Sequence, residues 1–320
     1  MKYQISNVNK YIREGRYEEL IEISESRRLV QVEQLYYLIR AADQDSKNLT
    51  DAVMITGPSS SGKTTFSNLI AQRLSEDGYH CTVVSIDDYY LNKEEIHRRQ
   101  AEAAGNKGLS ESEYDYETIE AFDVPFFRRQ MTEYAAGLPV TLPKFDFGSG
   151  KRMMGDVRLV PTEKDMIIVE GIHALNPVLC DGLGFHRAFK VYICPFDTYL
   201  FDGTDKVLLP QQIRFMRRAV RDRIKRNAPL KRTMSMWKSV RNGEEKYIKP
   251  VKKFADFFLN TSLEYEIAFL KKRIFEMKET LNASELEALE EILPLREMEQ
   301  ILGTEGFSIP EDSIFSEFYI

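Results

Sequence analysis

Gly57-Pro58-Ser59-Ser60-Ser61-Gly62-Lys63-Thr64-Thr65 fits the pattern G-x-x-x-x-G-K-[ST] at every fixed position. Its flanks fit as well. The apolar run Ala52–Thr56 reads as a buried strand leading in, and Phe66, Leu69, Ile70 and Leu74 recur at helical spacing beyond it. Glycines let such a loop wrap its backbone N–H groups, and the helix N-terminus behind them, around phosphate oxygens. Lys63 then neutralises the β and γ phosphates, and the Thr64 hydroxyl ligates Mg²⁺. The plain alternative, a Gly/Ser turn before a helix, explains neither the lysine nor the preceding strand. The nine residues Gly57, Pro58, Ser59, Ser60, Ser61, Gly62, Lys63, Thr64 and Thr65 are therefore expected to hold a nucleotide, with ATP and Mg²⁺ as cofactors.

Further short apolar runs lie at Thr82–Ile86, Met166–Val169, Phe189–Ile193 and Ala255–Leu259. Most are continuous rather than alternating, as in strands buried on both faces. Helical patterns separate them; the clearest runs from Asp123, an N-cap candidate, through Pro125 to Gly137. Strands alternating with helices predict an α/β fold with a parallel sheet flanked by helices. Residues 1 to about 49 read as helices, from Tyr17, Leu20, Ile21 and then Leu29, Val32, Leu35, Tyr36 and Ile39. A polar bridge, Asp43–Asn48, follows. The tail from Ser262 is helical again, with Thr261-Ser262-Leu263-Glu264 as a capping-box candidate.

Three clusters narrow the chemistry. Val83-Val84-Ser85-Ile86-Asp87-Asp88-Tyr89-Tyr90 ends a strand, and ligands of open α/β sheets sit beyond the carboxyl ends of strands. Asp87 there can accept a proton from an attacking hydroxyl; read plainly, the Asp pair is a turn or helix cap. Met166-Ile167-Ile168-Val169-Glu170-Gly171 has the layout of a Walker-B strand, with Glu170 holding Mg²⁺ directly or through water. The third cluster is basic: from Gln211 to Arg241 stand eleven Lys/Arg and one acid, Asp222. Arg214, Arg217, Arg218, Arg221 and Lys225 share a helix face beside the apolar stripe Ile213, Met216, Val220, Ile224. Such a helix can carry guanidinium forks onto a transferring phosphoryl group. Nucleic-acid binding is the rival use of the patch.

Composition removes other classes. The 320 residues are 43% hydrophobic and 29% charged, enough for a sizeable core. Charges of 44 and 50 leave a net −6, which disfavours coating of nucleic acid. Cys81, Cys180 and Cys194 form no CxxC, and with four histidines they offer no zinc-ligand spacing. No run approaches 18 apolar residues, and MKYQISNVNK has no apolar stretch behind its lysine. The expectation is a cytoplasmic protein with a small-molecule substrate, no membrane partner, and homo-oligomerisation left open.

With these residues in view, the chain resembles the uridine kinase branch of the phosphoribulokinase/uridine kinase family of P-loop kinases over about residues 51 to 262. Ser85-Ile86-Asp87-Asp88-Tyr89-Tyr90 matches S-x-D-x-[FY]-Y; Tyr114-Asp115 with Ala121-Phe122-Asp123 matches [FY]-D-…-A-F-D; Val169–Ile172 matches V-E-G-I; and Arg217-Arg218-Ala219-Val220-Arg221-Asp222 matches R-R-x-x-R-D. The resemblance implies Asp87 as catalytic base, with Lys63 and Arg221 also catalytic. It implies Tyr90, Asp115, Phe145, Arg152 and Arg218 on the substrate side, Asp115 gripping ribose hydroxyls. Arg221 and Arg226 would reach ATP phosphates, and Thr64 and Glu170 the metal. The match is closer to a longer bacterial subgroup that shares Glu170-Gly171-Ile172-His173-Ala174-Leu175-Asn176-Pro177 and Arg241-Asn242-Gly243-Glu244-Glu245-Lys246-Tyr247-Ile248. That subgroup often carries an N-terminal region similar to part of threonyl-tRNA synthetase, which is expected to be absent here, with only about 50 residues before the kinase. The implied organisation is a P-loop NTPase-type kinase domain over 50–261, with a substrate-binding hairpin at about 139–160 and a helical lid at about 203–245. Helical extensions flank it at 1–49 and 262–320; the first is assigned packing or dimerisation, not chemistry.

Two departures stand out. Uridine kinases have a P-x-Y-D-x-x-x-H-x-R hairpin, and here Pro143–Arg152 carries Phe145 for the tyrosine and Gly150 for the histidine. The lid has Arg226-Asn227-Ala228 in place of R-G-R. The expected activity is ATP- and Mg²⁺-dependent phosphorylation of a primary hydroxyl, the 5′-OH of a nucleoside first. A ribose- or polyol-like alcohol, or an ATP-switched RNA-binding regulator, are the alternatives.

Overall fold

The computed structural model describes residues 1–44, 52–105, 108–109, 113–162, 164–304 and 306–319. The chain opens with β1 (Lys2–Gln4), α1 (Ile5–Arg13) and α2 (Tyr17–Gln44). The polar bridge expected over Asp43–Asn48 lies outside the described residues from 45 on. The central part then runs β2 (Ala52–Thr56), α3 (Lys63–Ser75), β3 (His80–Ser85), α4 (Lys93–Ala103), α5 (Val124–Ala135), β4 (Val140–Asp146), β5 (Lys151–Leu159), β6 (Asp165–Glu170), α6 (Pro177–Cys180) and β7 (Ala188–Cys194). After it come β8 (Thr198–Leu200), β9 (Val207–Leu208), α7 (Pro210–Arg226), α8 (Leu230–Gly243), β10 (Phe257–Asn260), α9 (Glu266–Lys278), α10 (Ala283–Ile292), α11 (Leu295–Met298) and α12 (Ser316–Tyr319).

Five parallel strands form the main sheet in the order β10-β7-β2-β6-β3. The α/β expectation stands, and the five apolar runs are its strands, each within a few residues of its expected ends. Side chains of β2 alternate between faces. Val53 and Ile55 join Phe66, Ile70 and Leu74 of α3 and Leu35 and Ile39 of α2. Ala52 and Met54 join Phe127 and Met131 of α5 on the opposite face. Both faces are covered, so β2 is buried at every position and its sequence needs no polar alternation. α5 begins as expected: the Asp123 side chain accepts the Phe126 N–H, and Pro125 sits in the first turn.

A second core lies beside the sheet. Ile5, Val8 and Leu20 from the N-terminal helices, Phe215, Met216 and Val220 from α7, and Ile267, Phe269, Phe315 and Phe318 from the C-terminal segments pack together there. β1 extends this unit by pairing parallel to β8, a strand the helical reading of residues 1–49 did not contain. The capping box read at Thr261-Ser262-Leu263-Glu264 is not formed. α9 starts later, at Glu266, because the intended capping groups are engaged elsewhere: Thr261 Oγ1 accepts from Arg217 Nη1 at 3.5 Å, and Glu264 pairs with Arg27. No helix among the described residues is long and apolar enough to cross a membrane.

Arg217 and Glu266 join α7 to α9 through a bidentate pair, Nε to Oε2 at 2.5 Å and Nη2 to Oε1 at 2.7 Å, both side chains fully buried. Glu266→Ala leaves that guanidinium without its counter-charge. The expected loss is about 3–5 kcal/mol, whereas replacing both partners with apolar residues of similar volume recovers much of it. Urea unfolding midpoints of the single and double variants check this.

Candidate active site

β2 delivers the chain into the phosphate loop at the carboxyl end of the sheet, where its neighbours β6 and β7 flank it. Ser60 (φ 60°) and Gly62 (φ 85°) take the left-handed region, and α3 starts at Lys63. Left-handed residues turn successive N–H groups toward a common concave face, an anion-binding nest. Lys63 Nζ donates to the carbonyls of Gly57 and Pro58 at 3.0 and 3.2 Å, curled over its own loop.

The loop is braced from behind by α7. Arg214 Nη1 donates to Ser59 O at 3.2 Å, Arg217 Nη1 to Ser60 O at 3.5 Å, and Arg218 Nη1 to Ser59 Oγ at 2.8 Å. Here the sequence reading needs correction. Arg214 and Arg217 do not share an open basic face with Arg221 and Lys225; they are 1% and 0% exposed. Glu244 and Glu266 neutralise them. A buried guanidinium requires a paired carboxylate and filled hydrogen bonds, and only tertiary structure supplies those partners.

The cleft enclosed by these elements holds about 310 Å³. Ser59, Ser60, Ser61, Gly62, Lys63 and Thr64 line one end, with Asp87, Glu170, Arg218, Arg221 and Arg226 around them. Thr64 Oγ1 donates to Glu170 Oε1 at 3.1 Å, and Ser85 Oγ donates to the same oxygen at 2.9 Å. A hydroxyl and a carboxylate on one spot beside the phosphate cradle are hard oxygen donors that suit Mg²⁺, which takes few protein ligands and completes its shell with phosphate and water. Ser60 Oγ, Ser61 Oγ and Arg221 Nε are buried without a hydrogen-bond partner. Orphaned polar groups around a nest fit a polyanionic ligand.

The Asp pair divides its labour. Asp88 Oδ1 accepts the Phe145 N–H at 3.0 Å, docking the β4–β5 hairpin. Asp87 faces the cleft, where burial pushes its carboxyl upward while Lys63 pulls it back. Glu170 is raised the same way, by burial and then by Asp87. The far end of the cleft is aromatic. Tyr90 stacks on Phe122 at 4.1 Å between centroids and lies 5.4 Å from Phe145, its hydroxyl bonded to Tyr116 O at 2.9 Å. Phe147, at the hairpin tip, sits under the Arg226 guanidinium at 5.7 Å.

Two expected substrate-side residues are not among those lining the cleft. Asp115 turns away from the cleft: its Oδ1 accepts the Glu117 N–H at 2.9 Å and its Oδ2 the Tyr247 hydroxyl at 3.1 Å. Arg152 donates to Asp123 Oδ2 at 2.8 Å and lies over Phe126, so it ties the hairpin to α5. Among the loop residues, Gly57, Pro58 and Thr65 also stand outside the lining.

Glu117, which the sequence reading passed over, takes the inward position instead. It lines the cleft, its Oε2 is buried without a partner, and burial raises its carboxyl against the pull of Arg218 and Lys63. Its placement depends on the subgroup strings. His173 Nε2 lies 2.8 Å from Glu117 O, and a Cβ on Gly243 would come 2.4 Å from Glu117 Cβ. Only a glycine at the end of α8 leaves room for that side chain. Spacing alone could not say which acid of Asp115-Tyr116-Glu117 turns inward.

Comparison with known proteins agrees with the sequence resemblance. A model of the phosphoribulokinase / uridine kinase family matches residues 52–268. Uridine kinase of Borrelia duttonii (strain Ly) is 29% identical over 211 residues, covering 64% of this chain and 84% of that protein. Uridine kinase of Staphylococcus epidermidis is 30% identical over 214 residues, covering 66% and 88%. Among solved structures, phosphoribulokinase from Rhodobacter spheroides is 16% identical with a TM-score of 0.43, covering 67% of this chain and 73% of that chain.

The hairpin departure has a steric basis. Gly150 has φ +68°, and a Cβ there would come 2.8 Å from Lys93 Cβ, whose backbone N–H bonds Gly150 O at 2.8 Å. Gly150→His is therefore expected to destabilise the protein by about 1–3 kcal/mol rather than restore a base contact. A thermal melt and a nucleoside titration check both halves.

Proposed function

Because the chain belongs to the phosphoribulokinase / uridine kinase family and is a P-loop kinase, we propose that it moves the terminal phosphoryl group of ATP to the 5′-OH of a nucleoside such as uridine. The observation that carries this reading is the shared cleft: phosphate loop, Asp87 and three arginines at one end, aromatic rings and an unpaired Glu117 oxygen at the other. Cytoplasmic location and a catalytic unit of residues 50–261 flanked by helical extensions belong to the same proposal.

The chemistry follows from position. Asp87 orients the acceptor hydroxyl and takes its proton as the oxygen attacks the γ-phosphorus; the bond to the bridging oxygen breaks and ADP leaves with that electron pair. Lys63 uncurls from its loop to follow the γ-phosphoryl group, and Arg221 and Arg226 offset the charge spread over its oxygens. Thr64 and Glu170 would hold Mg²⁺, which neutralises β- and γ-oxygen charge when bound. Arg218 spans loop and acceptor. Tyr90, Phe145 and Phe147 present ring faces for stacking, and Glu117 takes the role of accepting ribose hydroxyls that the resemblance implied for Asp115.

Phe145 and Gly150 leave an aromatic face without the tyrosine and histidine polar groups of the uridine kinase hairpin. Rings stack on any base, so discrimination among bases is expected to be weak, and another ribose- or polyol-like alcohol is the second acceptor reading. The RNA-regulator alternative is weakened, since Arg214 and Arg217 are internal. Coupled ADP release with Mg²⁺ATP against uridine, cytidine, adenosine, 2′-deoxyuridine and sugar alcohols tests the reading. Uridine should exceed 2′-deoxyuridine clearly in kcat/KM, and turnover of sugar alcohols alone would move the assignment to them.

Lys63→Ala should abolish turnover. Asp87→Asn should lower kcat by roughly 10²–10⁴ with ATP binding nearly intact. The sign of the pH effect follows from burial. A raised Asp87 carboxyl protonates, and loses its function as base, at a pH above the usual carboxylate range, so the acid limb of the pH–kcat profile should lie there and vanish in Asp87→Asn. Glu117→Gln should erase the preference for ribose over deoxyribose, while Asp115→Asn should keep it.

A further inference from the structure

The wall of the cleft that the family match does not reach comes from the C-terminal segment, since that match ends at residue 268. Ser313, Ile314, Phe315 and Phe318 are all 0% exposed. The Tyr265 hydroxyl donates to Glu25 at 2.6 Å and meets Ser313 Oγ at 3.0 Å, and Phe315 stands edge-on to the Tyr265 ring at 5.7 Å. Arg28 Nη2 reaches Asp312 Oδ2 at 2.9 Å. Ile314 lies against the phosphate loop itself: a Cβ on Gly62 would come 2.3 Å from Ile314 Cγ2. The segment is thus anchored on the second core and presses on the loop. From it Glu317 projects to the cleft wall, its carboxylate 3.5 Å from Arg221 Nη1 and its side chain 30% exposed.

Arg221 therefore stands between two carboxylates of unequal hold. Asp222 Oδ1 accepts from Arg221 Nη2 at 3.1 Å, is 6% exposed, and is fixed by Thr233 Oγ1 at 3.2 Å and by Arg218 and Arg226 at 3.5 and 3.3 Å. Glu317 makes the longer contact, closer to solvent. A phosphate oxygen binds a guanidinium by short, charge-assisted, often paired hydrogen bonds, so it displaces the looser carboxylate and leaves the tighter one.

We propose that Glu317 is an internal phosphate surrogate: it aims Arg221 at the cleft and competes with the donor nucleotide's terminal phosphate for that guanidinium. The proposal rests on the reading of Arg221 as a ligand of the donor phosphates, given above. It makes the C-terminal segment a positioning element that sets donor affinity without touching the acceptor, and it needs only a side-chain rotation of Glu317, since Phe315 and Phe318 keep the backbone in place.

Glu317→Gln keeps the shape and removes the competing charge. Calorimetric titration should show MgATP binding about two- to tenfold tighter than to the unaltered protein. MgADP, which lacks the terminal phosphate, should change less than twofold, and KM for ATP should fall without a rise in kcat. In an Arg221→Ala background the same substitution should change nothing. ATP bound no more tightly by Glu317→Gln, with its melting temperature unchanged, overturns the proposal. So does an equal gain for MgADP or in the Arg221→Ala background, either of which reduces Glu317 to part of the general field. Failure of the parent reading looks different: the unaltered protein would then bind no MgATP, or Lys63→Ala would bind it equally well, and the surrogate role would fall with it.

Discussion

The phosphate loop cannot hold its shape alone, because the left-handed turn at Ser60 leaves the carbonyls of Ser59 and Ser60 in need of donors. α7 provides them with Arg214 and Arg217, and Arg218 holds the Ser59 hydroxyl beside them. That solution buries positive charge, which forces carboxylates inside: Glu244 from the end of α8 and Glu266 from α9. Replacing such pairs with apolar residues is often neutral for stability, so their retention points to geometry rather than to net free energy. The second core follows from the same demand, since α7 must be covered by the terminal helices to keep those pairs dry.

α7 thereby separates two jobs along one helix. Arg214 and Arg217 face the loop's back, Arg221 and Arg226 line the cleft, and Arg218 touches both. Asp222 keeps the cleft-facing three from repelling one another, and Thr233 of α8 holds Asp222 in turn. The acceptor end uses a similar economy. Gly243 makes room for Glu117, Asp115 orders the turn that presents it, and Tyr247 keeps Asp115 turned away.

What the sequence disclosed was what local rules control. The five strands were legible because burial on both faces forces continuous apolar runs, and α5 because Asp123, Pro125 and Gly137 mark its ends. Gly57–Thr65 was legible because phosphate binding fixes residue types at fixed spacing. Features that depend on distant partners were not. Nothing local says that Arg217 meets Glu266, forty-nine residues on, or that Glu264 is taken by Arg27 and so cannot cap a helix. Asp115 and Glu117 are both acids beside tyrosines, and their assignment turns on Gly243 and Tyr247, far along the chain.

A kinase cleft passes its phosphoryl group to an alcohol rather than to water. Phosphorus-31 NMR of the unaltered protein with Mg²⁺ATP and excess uridine follows that group directly. A uridine 5′-phosphate resonance should grow in step with ADP, with little inorganic phosphate. ADP accompanied only by inorganic phosphate, at the same rate with and without an alcohol, would contradict it.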